Sequence, residues 1–124
     1  MLILVVDDEI SLCELMADIL AEQFTIIMAY NGKEALALAQ AHKPDLIISD
    51  VMMPHMSGVE LLRALRTDPV INHIPMVLLS AGNSGQAVME ANAFIQKPFE
   101  IEVLEKTVAR FTRTNHAELN LGAA

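Results

Sequence analysis

Leu2–Val6 is an unbroken aliphatic run, and Leu46–Ile48 and Met76–Leu79 repeat the pattern. Runs with no polar face predict strands covered on both sides, as in a parallel sheet wrapped by helices. Phe24–Ala29 is rich in β-formers and Ala93–Gln96 reads as a short fifth strand. Helical spacing fills the intervals. Leu12, Leu15, Met16, Ile19 and Leu20 mark a helix over Ile10–Gln23. Asn31, with Glu34 three residues on, predicts the cap of a second helix that runs to about His42 and stops before Pro44. Ser57 and Glu60 have capping-box spacing and open a third helix through Arg66, closed by Asp68-Pro69. Gln86–Ala91 has room only for a short helix. Ile101, Leu104, Val108 and Phe111 form the stripe of a last helix ending near Arg113, and Thr114–Ala124 reads as a fraying tail. Five alternations of strand and helix imply an α/β fold, a parallel sheet with helices on both faces.

With 124 residues and 53% hydrophobic positions, the chain is one ordered domain over residues 1–113 followed by a flexible tail at 114–124. A net charge of −8 argues against direct nucleic-acid binding and suits cationic partners or metal. The first residues carry no basic region, and Asp7 and Asp8 interrupt the apolar run too early for a signal peptide. No apolar run has membrane-spanning length, so a cytoplasmic protein without membrane insertion is expected. Cys13, the single cysteine, falls in a helical apolar pattern and is expected in the core. The four histidines have no metal-ligand spacing.

The chemistry gathers at strand ends. Asp7-Asp8, Asp50, Ser80 and Lys97 each follow or end an apolar strand. In a parallel sheet these carboxyl ends share one edge, where open α/β sheets place ligands. An isolated turn preference would account for any one aspartate but not for their common placement. Three clustered carboxylates repel, and a hard cation such as Mg²⁺ relieves that repulsion. One carboxylate can act as a nucleophile toward phosphorus, while lysine, Mg²⁺ and a serine hydroxyl attend the phosphoryl oxygens.

Four motifs, V-V-D-D-E, D-L-I-I-S-D-V-M-M-P-H-M-S-G, L-L-S-A and K-P-F, occur in this order. Through them the chain resembles, over roughly residues 2–113, the receiver domain of bacterial two-component response regulators of the chemotaxis type. The resemblance implies strand order 2-1-3-4-5. It implies that Asp50 is the phosphoacceptor, served by a histidine kinase or a histidine phosphotransfer protein, with Mg²⁺ required. Asp8 would bind the metal directly, Asp7 mainly through water, and Met52 through its backbone carbonyl. Lys97 would contact Asp50 and then the phosphoryl group, which Ser80 would also bond. Phe94 would be the switch aromatic, with a core packing role as its bland alternative. The Lys97-Pro98 peptide would be cis. The resemblance makes the chain a signalling receiver rather than an enzyme, limited to self-phosphorylation from donors and autodephosphorylation.

The chain also departs from the family. The interval from Ser80 to Lys97 is short by more than one helical turn, about four residues. The A-G-A-D-D-Y run usual before the fifth strand is reduced to Ala91-Asn92-Ala93-Phe94. A short or irregular fourth helix and an atypical, unidentified output partner are therefore expected. Met52 and Gly82 stand where the family tunes hydrolysis of the phosphoryl group and pull in opposite directions. No output segment is expected after the last helix, which suits a single-domain regulator or a receiver within a larger assembly. Three other readings compete: a pseudo-receiver that never titrates its acidic pocket, a Mg²⁺-dependent aspartate-nucleophile phosphatase, and a flavodoxin-like cofactor binder.

Overall fold

The aliphatic runs become the strands of a single parallel sheet, seen in a computed structural model that describes residues 1–82 and 90–123, with side chains described to Thr112. In chain order the elements are β1 (Leu2–Val6), α1 (Ile10–Ala21), β2 (Thr25–Ala29), α2 (Gly32–His42), β3 (Leu46–Asp50), α3 (Gly58–Thr67), β4 (Met76–Ser80), β5 (Ala93–Gln96) and α4 (Ile101–Ala123). The strand order is β2-β1-β3-β4-β5, as the resemblance implies. The short helix expected over Gln86–Ala91 lies outside the described residues, except that Glu90 and Ala91 lead into β5.

Strand alternation divides the core into two layers. Leu4, Val6, Ile47, Met76 and Leu78 pack with Ala35 and Ala39 of α2 and with Leu61, Leu62 and Leu65 of α3. Ile3, Val5, Ile48, Val77, Leu79 and Ile95 pack on the other face with Cys13, Met16 and Leu20 of α1 and with Leu104 and Val108 of α4. Both layers need apolar residues, so the central strands carry no polar face. Cys13 is buried, and its Sγ donates to the carbonyls of Val5 (3.6 Å) and Ala29 (3.7 Å). Burial, with Asp7 nearby, pushes its thiol up to about 11, so it is an inert core group.

Register aligns the strand ends that carry the chemistry. Val6 pairs with Ser49, Asp50 with Leu79, and Ser80 with Gln96. The caps follow local sequence. The Asn31 side chain accepts from the Glu34 amide at 2.8 Å, and Ser57 and Glu60 form a complete capping box with both hydrogen bonds at 3.1 Å. Lys43 ends α2 in the left-handed region at φ 48, next to Pro44.

Two helix ends differ from the sequence expectation by more than a single residue. Helix α1 ends at Ala21 rather than Gln23. Helix α4 does not end near Arg113 but continues to Ala123, through the segment expected to be a tail. The physical reason is propensity: Ala117, Glu118, Leu119 and Leu121 are good helix formers, and no proline interrupts them.

Candidate functional site

The site is built on the carboxyl edge of the three central strands and closed by the residue after β5. Asp7 follows β1 and is completely buried. Its Oδ1 accepts from the Glu9 amide (2.9 Å), turning the chain into α1, and its Oδ2 accepts from Lys97 Nζ (3.0 Å). Asp50 ends β3, is 6% exposed, and accepts from the same Lys97 ammonium through Oδ1 at 3.1 Å. Asp8 is exposed at the mouth. One oxygen from each of Asp7, Asp8 and Asp50 lies within 4.8 Å of the others.

The loop after β3 depends on Gly58. Its amide donates to the Val51 carbonyl (2.9 Å), and any Cβ here would overlap the carbonyl oxygen of Asp50. The first residue of α3 can therefore pack against the backbone of Asp50 only because it has no side chain.

Ser80 ends β4 and is buried. Its hydroxyl donates to the Gly82 carbonyl (2.8 Å) and accepts from the Gly82 amide (3.3 Å). The Lys97 amide donates to the Ser80 carbonyl at 2.7 Å, which ties the lysine's backbone to β4. The Lys97-Pro98 peptide is cis. Phe94 is 45% exposed, which corrects its alternative reading as a core residue. Met52 is 74% exposed, whereas Met53 and Met56 pack against the core.

One contact was missing from the sequence reading, which gave Lys97 only Asp50 as a partner. The structure adds Asp7. The implied strand order could have suggested it: β1 and β3 are neighbours, so a lysine that crosses β4 to reach the end of β3 is also near the end of β1.

Electrostatics follow from this crowding. Burial raises the pKa of Asp50, the Asp7 charge raises it further, and the hydrogen bond and charge of Lys97 pull back against both. Burial alone would lower the Lys97 pKa, but its hydrogen bonds to Asp7 and Asp50 outweigh this and raise it. Because folding lifts the Asp50 pKa above its ordinary 3.8, ionising Asp50 costs stability in the metal-free protein. The cost is absent below 3.8 and builds as pH climbs from there to the folded protein's higher value. In chelator, the stability of Asp50→Asn relative to wild type should rise across that window and then level off. Urea melts at stepped pH check this, and a constant difference across the window would contradict it.

The three carboxylates supply only oxygen ligands, and one is exposed, which is the donor set a hard divalent cation such as Mg²⁺ prefers. An ionised Asp50 at the rim of such a site is also a potential nucleophile.

Comparison with known proteins places this arrangement in context. Residues 3–109 match the family model described as the response regulator receiver domain. Response regulator PleD of Caulobacter vibrioides is 40% identical over 117 residues, which are 90% of this chain and 26% of that protein. The chain spans between 8% and 26% of the length of the first curated relatives it matches. The solved structure of chemotaxis response regulator CheY4 of Vibrio cholerae is 37% identical with a TM-score of 0.81, covering 89% of this chain and 97% of that one. Response regulator protein TrrA of Thermotoga maritima, solved in complex with Mg(2+)-BeF, is 32% identical with a TM-score of 0.80, covering 89% of this chain and 97% of that one.

Proposed function

This chain belongs to the response regulator receiver domain family, and from that premise we propose that Asp50 is its phosphoacceptor in a two-component phosphorelay. The observation that carries the reading is Lys97, whose one ammonium bridges Asp7 and Asp50 inside an all-oxygen acidic cluster. Such an arrangement offsets part of the negative charge of two buried carboxylates at rest and leaves a cation in place for the arriving phosphoryl group.

Phosphoryl transfer from a donor phosphohistidine forms an O–P bond at an Asp50 carboxylate oxygen and breaks the N–P bond to the donor imidazole. Lys97 then gives up its bond to Asp50 and contacts a phosphoryl oxygen, while Asp7 keeps the ammonium aligned. The Ser80 hydroxyl leaves the Gly82 carbonyl and donates to a second phosphoryl oxygen. Asp8 and Asp50 would hold Mg²⁺ directly with the Met52 carbonyl, and Asp7 would act mainly through water. When bound, the ion offsets charge on the carboxylates and the phosphoryl oxygens. The TrrA complex with Mg(2+)-BeF supports this assignment by likeness. Phe94, exposed at rest on the edge strand, turns inward once Ser80 has moved, and the change in that surface alters partner binding.

A histidine kinase or a histidine phosphotransfer protein is the donor class, and the output partner is a further protein that distinguishes the two states. Among the described residues no helix is long and apolar enough to cross a membrane. Intact-mass measurement after incubation with a small acyl phosphate tests the reading. The expected result is one phosphoryl adduct with Mg²⁺ and none in chelator. Absence of any adduct from both the small donor and a phosphohistidine protein, with Mg²⁺ binding demonstrated, would overturn it.

A further inference from the structure

Lys97 lies beyond β5, the least anchored strand of the sheet. β5 is an edge strand of four residues, paired only with β4, and Ile95 is its one buried side chain. Burial of Ile95 opposes a slip by one residue, which would turn it outward. It does much less against a slip by two, because Ala93 would take its place on the same face. A short edge strand whose far end must deliver an ammonium to two carboxylates needs another constraint.

That constraint lies at the start of the strand. The Asn92 amide donates to the Met76 carbonyl at 2.9 Å, and Asn92 Oδ1 accepts from the Met76 amide at 2.9 Å. The side-chain oxygen thus takes the place of the backbone carbonyl that a longer β5 would offer. Met76 is fully buried, so without Asn92 Oδ1 its amide would lose that partner in an apolar setting. The same Oδ1 accepts from Arg66 Nη2 at 2.8 Å. Two donors on one atom identify it as the oxygen rather than the nitrogen of the amide. Arg66 Nη1 donates to the carbonyls of Ile74 (2.8 Å) and Asn72 (3.2 Å), so its guanidinium also fastens the turn that leads into β4.

Arg66 stands near the end of α3, the helix whose first residue, Gly58, packs against the backbone of Asp50. One helix therefore touches the Asp50 strand at its start and the Lys97 strand at its end. We infer that Asn92 and Arg66 are positioning residues: their clamp sets the register of β5 and so delivers Lys97 to Asp7 and Asp50. Only their effect on phosphorylation rests on the function proposed above; their effect on the Lys97 ion pairs does not depend on it.

The test uses both readouts on the full chain. Lysine labelled with ¹³C at Cε gives a Lys97 resonance in metal-free protein, assigned by its loss in Lys97→Arg. In wild type it should stand apart from the exposed lysines. In Asn92→Ala and in Arg66→Gln it should move to their position while thermal melting stays cooperative. Asn92→Asp keeps an oxygen for both donors and should restore the wild-type resonance. Phosphoryl uptake from a small acyl phosphate should slow about tenfold in the first two variants, as expected for a displaced catalytic group, and recover in Asn92→Asp. An unmoved Lys97 resonance in both Asn92→Ala and Arg66→Gln would overturn the inference, as would failure of Asn92→Asp to restore it. If wild type with Mg²⁺ bound takes up no phosphoryl group from either the small acyl phosphate or a phosphohistidine protein while the resonance behaves as described, the clamp stands and the phosphoacceptor reading fails.

Discussion

Asp50→Asn is expected to take up no measurable phosphoryl group, a fall of at least about 10³-fold in the rate of adduct formation. The substitution keeps the size of the side chain and an oxygen that can accept from Lys97. It removes only the carboxylate's nucleophilic charge. The fold should survive, because the charge being removed is one that folding disfavours: burial and Asp7 together raise the Asp50 pKa despite Lys97. A variant that melts at or above the wild-type temperature in chelator, yet never gains a phosphoryl group, would separate chemistry from structure. Mg²⁺ should stabilise wild type more than the variant, since the substituted amide would offer the ion a neutral oxygen in place of a charged one. Persistent adduct formation on Asp50→Asn would move the nucleophile to Asp7 or Asp8.

Lys97→Ala carries the second large effect, and it should appear in two places. The rate of phosphoryl uptake should fall by about 10²-fold, the usual result of deleting one preorganised donor to a developing charge. Stability of the metal-free protein at neutral pH should fall by about 3 kcal/mol, because Asp7 and Asp50 would face each other in a buried site without their shared cation. The stability loss should shrink toward acidic pH as Asp50 takes up a proton, and Mg²⁺ should recover part of it by supplying charge to the same oxygens. The rate should not recover with Mg²⁺, since the ion is already part of the wild-type reaction. Arginine is not expected to substitute: its planar fork cannot place a single nitrogen between two carboxylates as a compact ammonium does. Urea melts with and without Mg²⁺, alongside adduct kinetics, check both parts. A variant as stable as wild type in chelator would show that the bridge is not an energetic feature of the resting state.

Much of the fold was legible because buried parallel strands leave a simple trace. Leu2–Val6 and Met76–Leu79 have no polar face and could only be covered on both sides. The site was legible for a related reason. Parallel strands present all their carboxyl ends at one edge, so Asp7, Asp50, Ser80 and Lys97 were brought together by topology alone. What escaped depends on side-chain reach or on weak stop signals. The Asp7–Lys97 bond joins residues 90 positions apart and has no local signature. The bond between Arg66 and Asn92 is equally silent, an arginine on a helix and an asparagine in a loop, joined across 26 positions. The end of α4 was misjudged because small and polar residues suggested a tail, although nothing before Gly122 breaks a helix. Phe94 could have been core by composition, and only its place on an edge strand leaves it exposed.

The most direct measurement of the central claim is chemical trapping of the phosphorylated residue. Borohydride reduces an aspartyl phosphate to homoserine, and peptide mapping by tandem mass spectrometry then reads the position. After treatment with a small acyl phosphate and Mg²⁺, homoserine should appear at position 50 and nowhere else. Homoserine at position 7 or 8, or a phosphoryl adduct that borohydride leaves untouched, would contradict the account.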